Sequence, residues 1–288
     1  MKFYSPLRYP GGKNKLAKFI SLVCVKNNFN GHYVEPYSGG ASVALYLLIN
    51  GYVKEITIND LDKAVHAFWY SALYDTDRLC RKIKNAYVTI SNWKKQKTIQ
   101  QNKDSETDLL KLGFSTLFLN RTNYSGIIDG GMIGGAKQKS EYKIDCRFNK
   151  EELIRKIKFI ASKKDNIHLY NLDALDLINE IKSKGNFKNT IFYFDPPYYL
   201  KGPSLYMSHY KKEDHREVSN AIKKIKNAKW IVSYDNVSPI QSLFKGFKKK
   251  NYFLTHTAYE QRKAKEVLFF SDNLNFIPVG NPLKAKLL

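Results

Sequence analysis

Cysteine is nearly absent from this chain. Only Cys24, Cys80 and Cys146 occur, far apart and with no Cys-x-x-Cys pair, which excludes a disulfide scaffold and a cysteine zinc site. The histidines form no His-x-x-x-His array, so no metal is expected. Long apolar runs are missing too: the longest, Ala41 to Ile49, is well short of the ~20 residues a membrane span needs. The first fifteen residues are polar and proline-bearing, unlike a secretory leader. These absences together lead to the expectation of a soluble, cytoplasmic, nucleoid-associated protein. Acidic residues are also scarce, with 26 Asp and Glu against 48 Lys and Arg. The resulting formal charge of +22 favours a polyanionic partner, held by salt-sensitive attraction that is largely indifferent to sequence. Compositional bias towards Lys, Asn, Ile, Phe and Tyr offers a second account of that charge.

What is present is organised around Ile191-Phe192-Tyr193-Phe194-Asp195-Pro196-Pro197-Tyr198-Tyr199. Four apolar residues read as a buried parallel strand. The strand must stop at Asp195, because Pro196 and Pro197 bring no N–H to a ladder. Each proline also pushes its predecessor towards extended geometry. A carboxylate, a fixed carbonyl (that of Pro196) and an aromatic ring (Tyr198) are thereby placed at the carboxyl end of a strand, where open α/β sheets keep their ligands. The plainer reading is a strand end with a proline turn and Asp195 as a helix cap.

The string Asp-Pro-Pro-Tyr resembles the motif of amino-group DNA methyltransferases, specifically the Dam-like adenine family. Adenine's exocyclic nitrogen is a poor nucleophile, since its lone pair is delocalised into the ring. A carboxylate and a carbonyl accepting its two N–H bonds would draw it towards tetrahedral geometry. The resemblance thus implies Asp195 and Pro196 as catalytic acceptors and Tyr198 as the ring stacked on the base.

Taken in order, Leu7-Arg8-Tyr9-Pro10-Gly11-Gly12-Lys13 opens the chain, ahead of an amphipathic stretch with Leu16, Phe19, Ile20 and Val23 on one face. A Pro-Gly-Gly turn feeding a helix is a generic anion cradle, and often only a turn. It is similar to the family's aromatic-Gly-Gly-Lys motif, which implies cofactor contacts from Tyr9 and Lys13 and a DNA contact from Arg8. His32 to Ser42 reads as strand, glycine turn and helix start, the first unit of a nucleotide-binding fold. Its Glu35-Pro36-Tyr37 and Gly39 resemble the family's cofactor loop, with Ala41 in place of a usual glycine. Residues 52–58 alternate as a second strand ending in Asn59-Asp60. An acidic strand end of this kind accepts from ribose hydroxyls, or caps the helix marked by Leu61, Val65, Phe68 and Trp69. Residues 167–171 form a further strand, and Asp173 after it either contacts the cofactor's adenine, as the resemblance implies, or caps the next helix. Strands are also expected at 230–236 and 267–270, with a helix at 215–226. Residues 200–210 form a tyrosine-bearing loop, and the basic stretch 261–266 suits DNA backbone.

Residues 75–165 break the βα rhythm. They contain a basic piece around Trp93, an apolar helix from Leu109 to Leu119, then Asn120-Arg121-Thr122-Asn123-Tyr124-Ser125-Gly126 and a glycine-rich loop. Basic residues near Trp93, Tyr124 and Tyr142 suit phosphate contacts with stacking, though a charge run is also a common solvated face. The Asn-Arg-Thr-Asn-Tyr string resembles the DNA-contacting segment of Dam-like enzymes, implying contacts from Arg121, Asn123 and Tyr124. Family members that methylate GATC carry an arginine where this chain has Asp129, and a carboxylate prefers a cytosine amino group to a guanine edge. GATC is therefore not the expected site.

The resemblance spans essentially the whole chain. It implies an α/β fold: a Rossmann-like, mostly parallel sheet of the SAM-dependent methyltransferase type with an inserted, mainly helical target-recognition domain. The expected boundaries are 1–74 with 166–288 for the catalytic, SAM-binding part and 75–165 for recognition. It implies methyl transfer from S-adenosylmethionine to a flipped-out adenine in double-stranded DNA, with no metal. A restriction endonuclease acting on the same site is the expected partner where the enzyme serves restriction–modification. Methylation of RNA or of a protein amide, and a catalytically silent DNA-binding relative, are the competing readings.

Overall fold

The computed structural model describes residues 4–8, 13–185, 187–199, 210–256, 262–275, 277 and 280–285, with backbone alone at 254–256 and 262–264. Its chain divides into two compact units, one built from residues 13–61 and 166–288, the other from 2–12 and 62–165.

The first unit is a mixed α/β structure around one seven-stranded sheet. Its strands are β1 (His32–Glu35), β2 (Glu55–Asn59), β3 (Ile167–Tyr170), β4 (Thr190–Phe194), β5 (Lys229–Asp235), β6 (Lys248–His256) and β7 (Arg262–Phe270). They run in the order β3-β2-β1-β4-β5-β7-β6. The five from β3 to β5 are parallel, and β7 and β6 are antiparallel additions. This is the Rossmann-like, mostly parallel sheet that the resemblance implies. β1 and β4 sit side by side although the chain leaves β1 outward to β2 and β3, so the direction of winding reverses between them. That switch point is where a doubly wound sheet opens a crevice.

Period-two alternation sorts the side chains onto two faces. Val34, Phe192, Phe194, Trp230, Val232, Val267 and Phe269 form one core with Leu177 and Ile181 of α8 (Ala174–Ser183), Val218 and Ile222 of α9 (Lys212–Lys223) and Ile240 of α10 (Ser238–Leu243). The alternate residues face the other way: Phe270 meets Phe19 of α1 (Ala17–Lys26) edge to face at 6.2 Å. β4 is buried along its whole length, as a central strand must be when both faces are covered. Beside these, α2 (Ser42–Ile49) follows β1 through the glycine turn. β6 was not expected from the sequence. Its Lys248-Lys249-Lys250 start reads as solvated charge, which is what an edge strand tolerates.

The second unit is helical: α3 (Lys63–Tyr74), α4 (Thr76–Asn85), α5 (Ile90–Gln101), α6 (Leu109–Thr122) and α7 (Lys150–Ala161). Its longer segment runs from Asp62 to Asp165. Asp62 caps α3 by accepting from Ala64 N–H at 2.8 Å, and α3 packs with α6 through Ala64, Ala67 and Leu112. Gly113 makes that approach possible, since a Cβ there would lie 2.4 Å from the Ala67 carbonyl oxygen. α6 is the unit's central helix, buried everywhere beyond its first turn.

Candidate active site

Asp195 sits at the end of β4 and its carboxylate is held from two sides. Ser233 of β5 donates a hydrogen bond to Oδ1 at 2.5 Å, and the Lys13 ammonium lies 3.3 Å from the same oxygen. Tyr193 in turn shares a hydrogen bond with Ser233 at 2.9 Å, so the strand that carries the carboxylate also braces its partner. Asp195 keeps 22% of its side chain exposed. It caps no helix.

Lys13 is the hub. Its side chain is 4% exposed, and its ammonium also pairs with Glu266 at 3.0 Å and donates to the Tyr198 hydroxyl at 3.0 Å. Glu266, fully buried on β7, accepts from Tyr198 at 2.6 Å through Oε1 and from Tyr252 at 2.5 Å through Oε2. Burial alone would lower the Lys13 pKa, but Asp195 and then Glu266 hold it well above its ordinary value. Burial raises the Asp195 pKa, Lys13 pulls it down, and Glu266 adds to the rise; the net direction is upward. A cation between two carboxylates, with hydroxyls on the remaining lone pairs, is the arrangement a buried charge cluster needs to be tolerable.

Two of the expected site residues are engaged within the chain. Lys13 is a counter-ion to Asp195 and Glu266. Tyr198, expected to stack on the base, is 4% exposed. Its phenol is drawn inwards by the buried Glu266, and the Lys13 ammonium stands 5.0 Å from its ring centroid. The next residue is fixed as well, Tyr199 N–H donating to Asp235 at the end of β5 at 3.0 Å.

At the end of β1, Glu35 Oε1 accepts from the Ala44 N–H of α2 at 3.0 Å and from the Tyr33 hydroxyl at 3.2 Å. Burial pushes its carboxyl up to about 8, so at neutral pH it is mainly protonated. The glycine turn itself is tied to β2, with Gly39 N–H donating to Asp60 Oδ2 at 2.9 Å. Asp60 is therefore not the cap of α3. Ala41, in the place of a glycine, has φ 46° and ψ 34°, the left-handed conformation. Asp173 caps α8 by accepting from Leu175 N–H at 2.8 Å, the plainer of its two readings. Pro36 is held from behind: the buried Asn59 amide donates to its carbonyl at 2.9 Å and also pairs with the Leu172 backbone. Tyr37 shares a hydrogen bond with Tyr210 at 2.8 Å. Tyr9, residues 200–209 and Gln261 lie outside the described residues.

Two buried polar atoms border this crevice without a hydrogen-bond partner, Ser38 Oγ beside the glycine turn and Asn14 Nδ2 beside Lys13. Buried polar groups are rarely left so, and these fit a polar ligand received across the turn. Ser233, Glu266, Tyr252, Asn59, Asn14 and Ser38 are functional candidates that sequence reasoning passed over. For Glu266 a signal existed: one acidic residue stands between basic Lys263 and Lys265 and the apolar run 267–270.

In the helical unit, the Asn-Arg-Thr-Asn-Tyr string is mostly internal. Asn120 fastens Arg8, accepting from its N–H at 2.7 Å and donating to its carbonyl at 2.8 Å. Asn123 is fully buried; it accepts from the Trp93 indole at 2.6 Å and donates to the Ile127 and Ile128 carbonyls at 2.9 Å. Its amide serves the loop, so no group is left for a base edge. Tyr124 is half exposed, and Asp129 pairs with Lys97 at 3.1 Å. Arg121 differs from all of these. It is 9% exposed, its Nε has no hydrogen-bond partner, and Arg8 Nη1 is likewise buried and unpaired. Burial lowers the Arg121 pKa to about 10, and neighbouring Arg8 adds to the effect.

A family model for D12 class N6 adenine-specific DNA methyltransferases matches residues 9–259. The chain belongs to that family. The D12 assignment makes this an adenine-specific DNA methyltransferase and sets aside RNA and protein amides as its substrate class. The D12 chain is 22% identical over 226 residues to the type II methyltransferase M.MjaIII of Methanocaldococcus jannaschii, covering 73% of this chain and 74% of that one. Among solved structures it is similar to the rRNA methyltransferase aviRa from Streptomyces viridochromogenes, with a TM-score of 0.42 and 10% identity, over 92% of this chain and 88% of that one. Among the described residues of the D12 enzyme no helix is long and apolar enough to cross a membrane, and no cluster of His, Cys, Asp or Glu could hold a metal.

Proposed function

We propose that this enzyme transfers the methyl group of S-adenosylmethionine to the amino group of an adenine turned out of a DNA duplex, with Asp195 and the Pro196 carbonyl as the acceptors that orient that amino group. The observation that carries this reading is the braced carboxylate at the end of β4, held by Ser233 and Lys13 yet still partly open. S-adenosylmethionine supplies an electrophilic methyl carbon on a sulfonium and leaves as a neutral thioether. Asp195 and Pro196 receive the two N–H bonds and turn the nitrogen lone pair outwards. That pair forms the new carbon–nitrogen bond as the carbon–sulfur bond breaks, and the surplus N–H proton departs along the hydrogen bond to Asp195. Positioning carries most of the rate in such a displacement.

The residues we place around S-adenosylmethionine are Pro36, Tyr37, Gly39 and Asp60, joined by the orphaned Ser38 and Asn14. Glu35 and Asp173 each spend one carboxylate oxygen on local structure and keep a second for the ligand. Extruding the base costs a few kcal/mol. The DNA contacts we assign are Arg121, Arg8 and Tyr124 in the helical unit, and the role of residues 2–12 with 62–165 is target recognition. A buried guanidinium without an acceptor is a costly state that phosphate or a guanine edge would relieve. A restriction endonuclease of the same specificity fits the type II relative.

The test is a labelled-methyl assay on duplex DNA, RNA and a protein substrate, with digestion of the product to nucleosides. N6-methyladenine in duplex DNA alone is expected. Label in RNA or protein, or none anywhere, would sink the proposal. A thermal shift with S-adenosylmethionine separates an active enzyme from a silent relative, which would show none.

A further inference from the structure

We propose that Glu266 is a positioning residue for methyl transfer: it locks Lys13 and Tyr198 in place so that Asp195 faces the adenine amino group at a fixed angle. This rests on the transfer reading given above, and it adds a group that the Asp-Pro-Pro-Tyr motif does not contain.

Glu266 is held on every side by its own chain. It is completely buried on β7, opposite Asp235 of β5 on one side and Tyr252 of β6 on the other. Its two oxygens receive Tyr198, Lys13 and Tyr252. The catalytic loop after β4 is thus pinned at three points, by Glu266 at Tyr198, by Asp235 at Tyr199 and by Ser233 at Asp195. Two prolines stiffen the span between the first and last of these pins. Glu266 acts on the loop through both a hydrogen bond to Tyr198 and the shared Lys13 cation.

An apolar residue at 266 would fill the space and spare the enzyme a second buried carboxylate. A carboxylate is retained where Lys13 would otherwise collapse wholly onto Asp195. Shared between two carboxylates, the ammonium reaches Asp195 at 3.3 Å and Glu266 at 3.0 Å, the longer arm going to the catalytic group. Glu266 therefore draws the cation back and keeps Asp195 available as an acceptor.

Among the described residues the titratable groups facing Asp195 are Lys13 ahead of α1, Glu35 of β1, Tyr193 of β4, Tyr234 of β5 and Glu266 of β7, with Tyr198 and Tyr252 bonded to Lys13 or Glu266 behind them. Burial raises Tyr193, Tyr234 and Tyr252 far above neutrality and holds Glu35 mainly protonated, so among the described residues Lys13 and Glu266 are the charges that set Asp195 near neutral pH. Glu266 raises the Asp195 pKa and Lys13 lowers it. Removing the Glu266 charge leaves Lys13 unopposed, and the acid limb of the rate profile moves to lower pH.

The experiment compares the full-length enzyme with its Glu266→Gln variant, measuring kcat, KM for DNA and for S-adenosylmethionine, and the pH profile of kcat. A fall in kcat of about 10- to 100-fold is expected, the scale of a small misplacement at a reacting group. Both KM values should stay within about twofold, and the acid limb should shift downwards. Unchanged kcat, or a lowered kcat with the acid limb unmoved, would overturn the proposal. If Glu266→Gln does not fold, Tyr252→Phe decides: it removes one donor from Glu266, and an unchanged kcat at an unchanged melting temperature overturns the proposal, whereas a several-fold lower kcat at unchanged KM supports it. An inactive wild type would instead sink the transfer reading itself.

Discussion

Two buried cations show how differently the two units treat charge. Lys13 of the sheet unit is surrounded by acceptors, with Asp195, Glu266 and Tyr198 all within 3.3 Å. Arg121 of the helical unit is nearly as buried, and its Nε meets no acceptor. A protein does not hide a guanidinium for its own stability, because burying an unpaired charge costs several kcal/mol. The sheet unit has a finished site whose geometry exists before any ligand. The helical unit leaves buried guanidinium nitrogens of Arg121 and Arg8 without acceptors, which the proposed DNA contact would supply.

The sharpest way to break that contrast is Asp195→Ala. Transfer should fall by at least about a thousandfold, as for loss of a group acting in the transition state. Duplex binding in a gel-shift assay should stay near wild type. Substantial residual activity would remove Asp195 from its role.

Next in size is Lys13→Met. It leaves Asp195 and Glu266 buried together without their shared cation, so a loss of about 3–5 kcal/mol in urea unfolding is expected. Asp195 would titrate higher, and the acid limb of kcat would move up in pH, opposite to the Glu266→Gln shift. An unfolding midpoint equal to wild type would show that the cluster carries no such load.

Arg121→Met sharpens the other side. Removing an unpartnered buried charge should leave stability level or raise it, while duplex affinity falls roughly tenfold, about 1.4 kcal/mol, the size of one charged hydrogen bond. A loss of stability without a loss of affinity would mean that Arg121 is structural after all.

A further effect concerns pH. Burial raises the Glu35 carboxyl to about 8, so the folded state holds a proton that the unfolded state releases above its ordinary pKa near 4.5. That contribution is fully present below about pH 4.5 and is lost as pH rises through about 8. Glu35→Gln should flatten the slope of melting temperature between those limits, as measured by thermal melts across that pH range. A slope equal to wild type would place the effect on another group.

The sequence was legible wherever burial imposed a pattern. β1, β2, β4 and β5 are apolar runs in a doubly covered sheet, and the proline corner after β4 could be read because proline chemistry is local. β6 was not legible, since its lysines sit on an edge with a ladder on one side only. Glu266 hid among lysines because side-chain direction in a strand alternates: Lys265 is exposed and Glu266 is buried. Asn123, expected at DNA, shows a related ambiguity, its amide being bonded inside the loop. An amide matches a base edge and a backbone loop equally well, and only the fold decides which it meets. Arg121 stood in the same string, and only its burial distinguishes it from its neighbours.

Ala41 has a consequence of its own. Left-handed backbone costs a residue with a Cβ about 1–2 kcal/mol, more than the roughly 0.4–1 kcal/mol that the methyl recovers by restricting the unfolded chain. Ala41 is therefore held at a net cost, which the turn's other contacts must offset. It leaves the hairpin-tight bend after β1 with fewer shapes to sample, and a branched side chain there, such as valine, would spring it open.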